Sequence, residues 1–270
     1  MRKTTKFLAG LLFLFATVIT LNLQAVTVTI GTGTASSNYP FTTYWMDGRT
    51  QILLTSSEIL ANGGVPGTIQ NIAFNVISNS TQAMNGFNIR MQNTALTTLA
   101  AFTSTGFTTV YSGTYTVAGT GWQTITLQTP FSWDGTSNLL MEICYDNASY
   151  TSYSPVNATA AAGMTWGQYS DLSSGSGCTG LTGGAAQANR PNVRMEIQPA
   201  GNAATITGVV TNANTGAPVN GALVAIGDSM TYTIANGTYT LHVNVGTHTL
   251  TVTKTGFDVY SANFTATSGA

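Results

Sequence analysis

Apolar and polar side chains alternate one by one along much of this chain. In "GFNIRMQN", Phe87, Ile89 and Met91 alternate with Asn88, Arg90 and Gln92, the period-two pattern of a strand with one buried face. The same parity aligns Ile72, Phe74 and Val76 in "IAFNV", and Leu139, Met141, Ile143 and Tyr145 in "NLLMEICYDN". It also sets Val193, Met195 and Ile197 of "NVRMEI" opposite Arg194 and Glu196. With "VTVTI", "TQILLT", "TVYSGTYTV", "WQTITLQ" and "MTWGQYS", these predict roughly eight to ten strands between turn signals, the count of a jelly-roll-like β-sandwich. One helical turn is expected at "SSEILANGG", capped by Ser56 or Ser57 and stopped by Gly63 and Gly64. Residues Leu172 to Asn189 turn to Gly, Ser, Thr and Ala and read as a long surface loop.

At "QPAGNAA", Gln198 to Ala204, the periodicity stops and then resumes with tighter spacing, which sets a domain boundary. Seven short strand candidates follow: "TITGVVT", "ALVAI", "TYTI", "TYTLHV", "HTLTVT", and weaker edges at "FDVY" and "ANFTA". Pro218 presets a turn after Thr215-Gly216, and Asn236-Gly237 predicts a tight hairpin because both residues tolerate positive φ. Tyr239, Leu241 and Val243 share a face, as do Leu250 and Val252, so these two strands are expected to pair as a hairpin with one apolar side.

The first 25 residues change the picture from fold to location. Arg2, Lys3 and Lys6 precede an apolar run from Phe7 to Leu21, and Ala25 closes a small-residue cleavage site, the layout of a secretory signal peptide. The apolar run is near the lower limit for spanning a bilayer, so cleavage and no membrane attachment afterwards are expected. Without the leader, five basic residues remain against nine acidic ones, a formal charge of −4. No basic stripe exists to replace phosphate counterions, which excludes nucleic acid as a partner. Export makes a Cys144–Cys178 disulfide the default expectation, stabilising by roughly 3–4 kcal/mol on a chain-entropy account. The plan is therefore a leader at 1–25, a jelly-roll-like domain at 26–197, a linker at 198–203 and a small β-sandwich at 204–270, secreted or on the cell surface.

Catalytic chemistry has little to draw on. No G-x-S-x-G turn appears, and the two histidines, His242 and His248, lie in the small domain on opposite strand parities. His242 is expected to face solvent alone, and His248 to be partly buried with a backbone partner. Asp47, Asp134, Asp146 and Asp171 are the carboxylates that would have to meet for glycoside hydrolysis, although Asp134-Gly135 and Asp146-Asn147 read first as turn residues. Asp134, Asn138, Asp146 and Asn147 are the oxygen ligands calcium would draw on, without EF-hand spacing; no other cofactor is called for. Binding chemistry has more material. Tyr39, Phe41, Tyr44 and Trp45 crowd "NYPFTTYWMDG", and Tyr150, Tyr153, Trp166 and Tyr169 form a second group. Exposed rings with polar handles suit sugars or proteins, while the competing reading buries most of them in the core.

Residues 204–267 resemble the carboxypeptidase regulatory-like domain, a transthyretin-like β-sandwich. "ITGVVTNANTGAPVNGALVAI" is similar to its opening strand, T-G-x-P turn and G-A-x-V strand, and "ANGTYTLHVNVGTHTLTVTKTGF" to its N-G-x-Y hairpin and closing strands. The resemblance implies an all-β chain ending in a smaller, seven-stranded sandwich. Residues 26–197 resemble a domain repeated in secreted surface proteins of the Bacteroidota through "FTTYWMDGRTQILLTSSEI", "FSWDGTSNLLMEICYDN" and "SGC…NRPNV". Together the expectations are a non-catalytic binding or adhesion protein for a glycan or a surface protein. The alternative is an accessory part of a larger secreted peptidase or glycan-degrading enzyme, the kind of system such regulatory-like domains accompany.

Overall fold

The computed structural model describes residues 8–10, 25–172, 176–200 and 203–266. The chain is all-β and divides into two compact units, one of residues 27–58 and 67–197, the other of 1–26, 59–66 and 198–270. The leader expected at 1–25 lies outside the described residues except for Ala25 and Leu8–Gly10, a strand paired antiparallel with Val210–Asn212. No described helix is long and apolar enough to cross a membrane.

In the larger unit one sheet runs, edge to edge, Ala185–Ala186, Thr165–Ser170, Asp47–Leu54, Asn138–Asp146, Met84–Thr94, Thr108–Tyr115. The other runs Asn189–Pro191, Val156–Ala160, Gly67–Val76, Val193–Pro199, Val26–Ile30, with Ala35–Ser37 on the second strand and Gly121–Trp133 on the third. The alternation read from the sequence is met: Phe87, Ile89, Met91, Ile72, Phe74, Val193, Met195 and Ile197 are fully buried while Glu196 is exposed. Ser56–Ala61 is the expected helical turn, followed by Gly63 at φ 83°. The stretch expected as one loop carries a turn of helix at Gly177–Gly180 and the edge strand Ala185–Ala186. Cys144 and Cys178 form the disulfide across a Cα separation of 5.2 Å.

The strand Asn138–Asp146 departs from simple alternation because both of its faces are covered. Leu139, Met141, Ile143 and Tyr145 face the core as their parity predicts, yet Leu140, Glu142 and Cys144 are buried as well. Loop segments around Phe102–Thr103 and Leu181 lie over this outer face, their carbonyls accepting from Arg49 and Gln51 of the neighbouring strand Asp47–Leu54.

The smaller unit holds a three-stranded sheet of Leu8–Gly10, Ala203–Asn212 and Thr238–Asn244, and a four-stranded sheet of Ser229–Tyr232, Leu223–Ile226, Gly246–Thr253 and Tyr260–Ala266. Its core is aliphatic, built on Val210, Val224, Ile226, Leu241, Val243, Leu250 and Val252, with Tyr239. The candidates "FDVY" and "ANFTA" merge into one strand, and Phe257 packs on the core instead.

Two expectations are corrected here. Thr238–Asn244 pairs with Ala203–Val209, whereas Gly246–Thr253 pairs with Leu223–Ile226 and Tyr260–Ala266. The shared apolar parity of these neighbours reflects opposed faces of two sheets, because the single residue Val245 between them is too short for a two-residue hairpin turn. At Asn236-Gly237 the chain turns tightly, but the flanking strands Ser229–Tyr232 and Thr238–Asn244 lie in different sheets and do not pair as a hairpin, and only the glycine takes positive φ, at 77°. Asn236 turns the chain through its side chain, whose Oδ1 accepts from the Thr238 N–H at 3.1 Å and its hydroxyl at 2.7 Å.

Candidate recognition surface

Two loops of the larger unit are joined by backbone bonds. Thr151 N–H donates to Thr43 O at 3.0 Å, Ser154 N–H to Phe41 O at 3.3 Å, and Asn147 N–H to Met46 O at 2.8 Å. The Thr43 hydroxyl adds a bond to Ser152 O at 2.5 Å. Beneath them Tyr145, buried in the core, meets the Thr42 hydroxyl at 2.9 Å and donates to Trp45 O at 3.3 Å. Gly48 makes room for this anchor, since a Cβ there would lie 2.5 Å from the Tyr145 ring.

The joined loops and the strand Thr165–Ser170 bring six of the eight expected aromatic residues together. Ring centroids run from Tyr39 to Tyr169 at 6.0 Å, Tyr169 to Trp45 at 4.8 Å and stacked, Trp45 to Tyr44 at 6.2 Å, then Tyr44 to Tyr153 at 5.3 Å and to Tyr150 at 5.8 Å. Trp45 Nε1 donates to the Tyr153 hydroxyl at 3.0 Å, fixing the indole from its polar edge. Tyr44, Tyr150 and Tyr169 are 49%, 48% and 38% exposed. These solvent-facing rings therefore form one continuous ribbon.

The other two residues belong elsewhere. Phe41 is wholly buried, edge-on to Phe74 at 5.5 Å, in a non-strand segment whose neighbours Thr42 and Thr43 are buried as well. Trp166 packs beside a separate cluster of Leu53, Leu99 and Leu140 and donates to Gly183 O at 3.0 Å.

At the Tyr39 end the ribbon opens into a groove of about 530 Å³, bordered by Asn38, Tyr39, Gln168, Tyr169, Gln187 and Asn189 among others. Gly167 forms part of its floor; a Cβ there would lie 2.4 Å from the Tyr39 ring. Burial, with Tyr169 and Tyr153 close by, pushes the Tyr39 phenol well above its usual range, so it stays a neutral hydroxyl.

Three of the four carboxylates considered for hydrolysis gather at the base of the ribbon. Asp47 and Asp146 are cross-strand partners, Asp171 accepts from the Met46 N–H at 3.0 Å, and Asp47 Oδ2 accepts from the Leu172 N–H at 2.9 Å. Asp47 is wholly buried, and its Oδ1 meets no donor among the described residues. Burial raises the Asp47 carboxyl to about 6, opposed by the Leu172 N–H and reinforced by Asp146 and Asp171. Asp134 stands apart. It folds back on its own turn, accepting from the Thr136 and Ser137 N–H groups at 2.8 and 2.7 Å.

The calcium set is corrected by the same geometry. Asp134 and Asn138 stand at one end of the strand Asn138–Asp146, and Asp146 and Asn147 at the other, about 27 Å away for an extended strand of this length. Asn138 instead holds the helical turn, accepting from the Ser56 N–H at 2.8 Å and donating to Leu96 O at 2.8 Å. Asn147 Oδ1 accepts from the Asn85 N–H at 2.8 Å. Among the described residues no group of three or more carboxylate, histidine or cysteine side chains is arranged to hold a metal ion.

The expectation for His242 also changes. It is half-buried, its Nδ1 lies 3.1 Å from the Thr205 hydroxyl on the neighbouring strand, and burial lowers its basicity. His248 has the backbone partner expected, with Nε2 2.7 Å from Asn244 O.

One cluster went unread in the sequence. Glu142, wholly buried, receives Arg49 Nε and Nη2 at 2.9 and 2.8 Å and Gln51 Nε2 at 2.6 Å on one oxygen, and the Arg90 fork on the other. Arg49 also donates to Leu181 O at 2.8 Å and lies 4.2 Å over the Phe102 ring. Every polar atom on this carboxylate is matched and roofed, the condition under which a buried charge is tolerated. The available signal was a lone Glu inside the apolar run "LLMEICY" of a chain with few charges.

Residues 205–270 match the profile of the family described as Carboxypeptidase regulatory-like domain. That part of the chain is a non-catalytic β-sandwich module. No curated protein matches the chain.

Proposed function

We propose that this protein is an exported, non-catalytic recognition module that attaches to a glycan or a surface protein through the aromatic ribbon of its larger unit. The ribbon carries the reading: Tyr44 and Tyr150, on loops held by backbone bonds, and Tyr169, on the strand Thr165–Ser170, leave large ring areas in water and are backed by Trp45 and Tyr153. Amphipathic rings on a fixed scaffold supply contact area at little entropic cost. The Cys144–Cys178 disulfide supports a location outside the reducing cytoplasm, and export would place the module in the medium or on the cell surface.

The test is binding of residues 26–270 to arrays of glycans and of extracellular and cell-wall proteins. Retained binding in wild type and its loss in a Tyr44→Ala, Tyr150→Ala double variant supports the reading; silence on both arrays removes it. The family match at 205–270 favours a second reading, in which the chain serves as the accessory part of a secreted peptidase or glycan-degrading enzyme. Sequencing the genome downstream of the Ala270 codon tests it, and an in-frame catalytic domain is the expected result.

A further inference from the structure

We infer that the groove beside Tyr39 and Tyr169 is a subsite for a neutral glycan. The inference rests on the recognition reading above and narrows it to one ligand chemistry and a second set of residues.

The argument starts from the lining. No charged side chain borders the groove among the described residues, whereas side-chain amides are contributed from three directions: Asn38, Gln168, and Gln187 with Asn189. An amide carries both a donor and an acceptor, so a row of them matches sugar hydroxyls, which need both. Gln168 has its Oε1 set by the Gly183 N–H at 2.8 Å, which orients its NH₂ as a donor. Gln187 is likewise fixed by donation to Ala185 O at 3.0 Å, which leaves its carbonyl oxygen as an acceptor.

The wall supplies the complementary half. A sugar ring carries C–H groups on its faces and hydroxyls at its edge, so it needs an apolar plate flanked by hydrogen-bonding groups. Tyr169 is that plate: stacked on Trp45 at 4.8 Å, 38% exposed, and beside the amides. Tyr39, itself buried at 8% exposure, borders the groove beside Tyr169, 6.0 Å between ring centroids. A protein ligand would be served as well by the exposed rings alone and gives no reason for the amide row.

Charge decides the kind of glycan. Asp47 pairs with Asp146 and with Ser170, next to Tyr169, and Asp171 accepts from the Met46 N–H, next to Trp45; no lysine or arginine lines the groove to offset these carboxylates. Sulfated or uronic polymers would be repelled from a site with no compensating cation. The groove is open to solvent and continues into the ribbon, a form that admits a chain passing through as readily as a chain end.

The experiment is titration of residues 26–270 with neutral polysaccharides (glucans, mannans, galactans) and with sulfated and uronic ones, by affinity electrophoresis and calorimetry. At least one neutral polymer should bind, with affinity unchanged by added salt. Gln168→Ala and Tyr169→Ala should each weaken it about tenfold, with the folded state retained in circular dichroism. Binding confined to anionic polymers overturns the inference. So does binding confined to a protein ligand that survives Gln168→Ala but not Tyr44→Ala, an outcome that keeps the recognition reading and removes only the glycan subsite. Silence from every ligand overturns both.

Discussion

Two buried carboxylates lie on the same face of one sheet and are treated in opposite ways. Glu142 is enclosed by Arg49, Arg90 and Gln51, so its charge is matched on both oxygens. Asp47, on the neighbouring strand, faces Asp146 across the ladder and has Asp171 nearby, with one backbone N–H as its donor and an oxygen that meets none. The first arrangement gives every carboxylate oxygen a donor; the second raises the Asp47 carboxyl to about 6, so that it holds its proton to higher pH than a free aspartate. A folded protein retains such an unmatched acid where other demands outweigh stability, and this one lies directly under the ribbon.

The contrast can be broken hardest at Glu142. Glu142→Gln keeps the shape but leaves Arg49 buried without a counter-charge, and a loss of about 4 kcal/mol is expected in urea unfolding monitored by tryptophan fluorescence. Removing the disulfide by Cys144→Ser with Cys178→Ser frees a sequence separation of 34 residues that also covers this face. It should cost about 3 kcal/mol, and the gap between oxidised and reduced wild type gives an independent measure.

Asp47→Asn should act in the other direction. The folded-state carboxyl sits above the unfolded value of 3.8, so the fold binds the extra proton, and stability falls as pH rises from about 4 to about 6, then levels. Above pH 6 the variant should therefore be more stable than wild type by about 1–2 kcal/mol, a figure reduced for screening near exposed Asp171. The advantage should vanish at pH 4, which melting curves across pH will show.

Glu58 supplies the reverse sign. Burial works to raise its carboxyl, but the Arg190 fork, at 2.7 and 3.0 Å, and the Thr55 N–H take it down to about 2. Its stabilisation is complete above pH 4.5 and is lost as pH falls towards 2. Arg190→Gln should remove about 1 kcal/mol at neutral pH and flatten that acid limb. The smallest effect is expected at Tyr44→Ala, within about 0.5 kcal/mol by the same unfolding assay, because the ring faces water. A larger loss would mark Tyr44 as part of the scaffold.

The sequence made the sheets legible because strand parity is a local property: Phe87, Ile89 and Met91 reveal their face without reference to anything distant. It left Glu142 unread because parity assigns that side to solvent, and only the three-dimensional course of two remote loops covers it. Parity also misled at Tyr239 to Val252, since two strands that share an apolar side can pair in one sheet or oppose each other across two. The aromatic residues were found by composition, but Phe41 and Tyr44 lie three positions apart and differ completely in burial. Which of them reaches water depends on the turn closed by Trp45 N–H and Thr42 O at 2.9 Å.

The bonds between the 39–46 and 147–155 loops bear on binding kinetics. Rings held in place before a ligand arrives lose little freedom on contact, so encounter needs no rearrangement and association should be limited by orientation alone. Ligands that differ in affinity should then differ mainly in residence time. Replacing Thr43 with valine, which removes the hydroxyl bond to Ser152 O, should slow association by letting the rings wander between encounters.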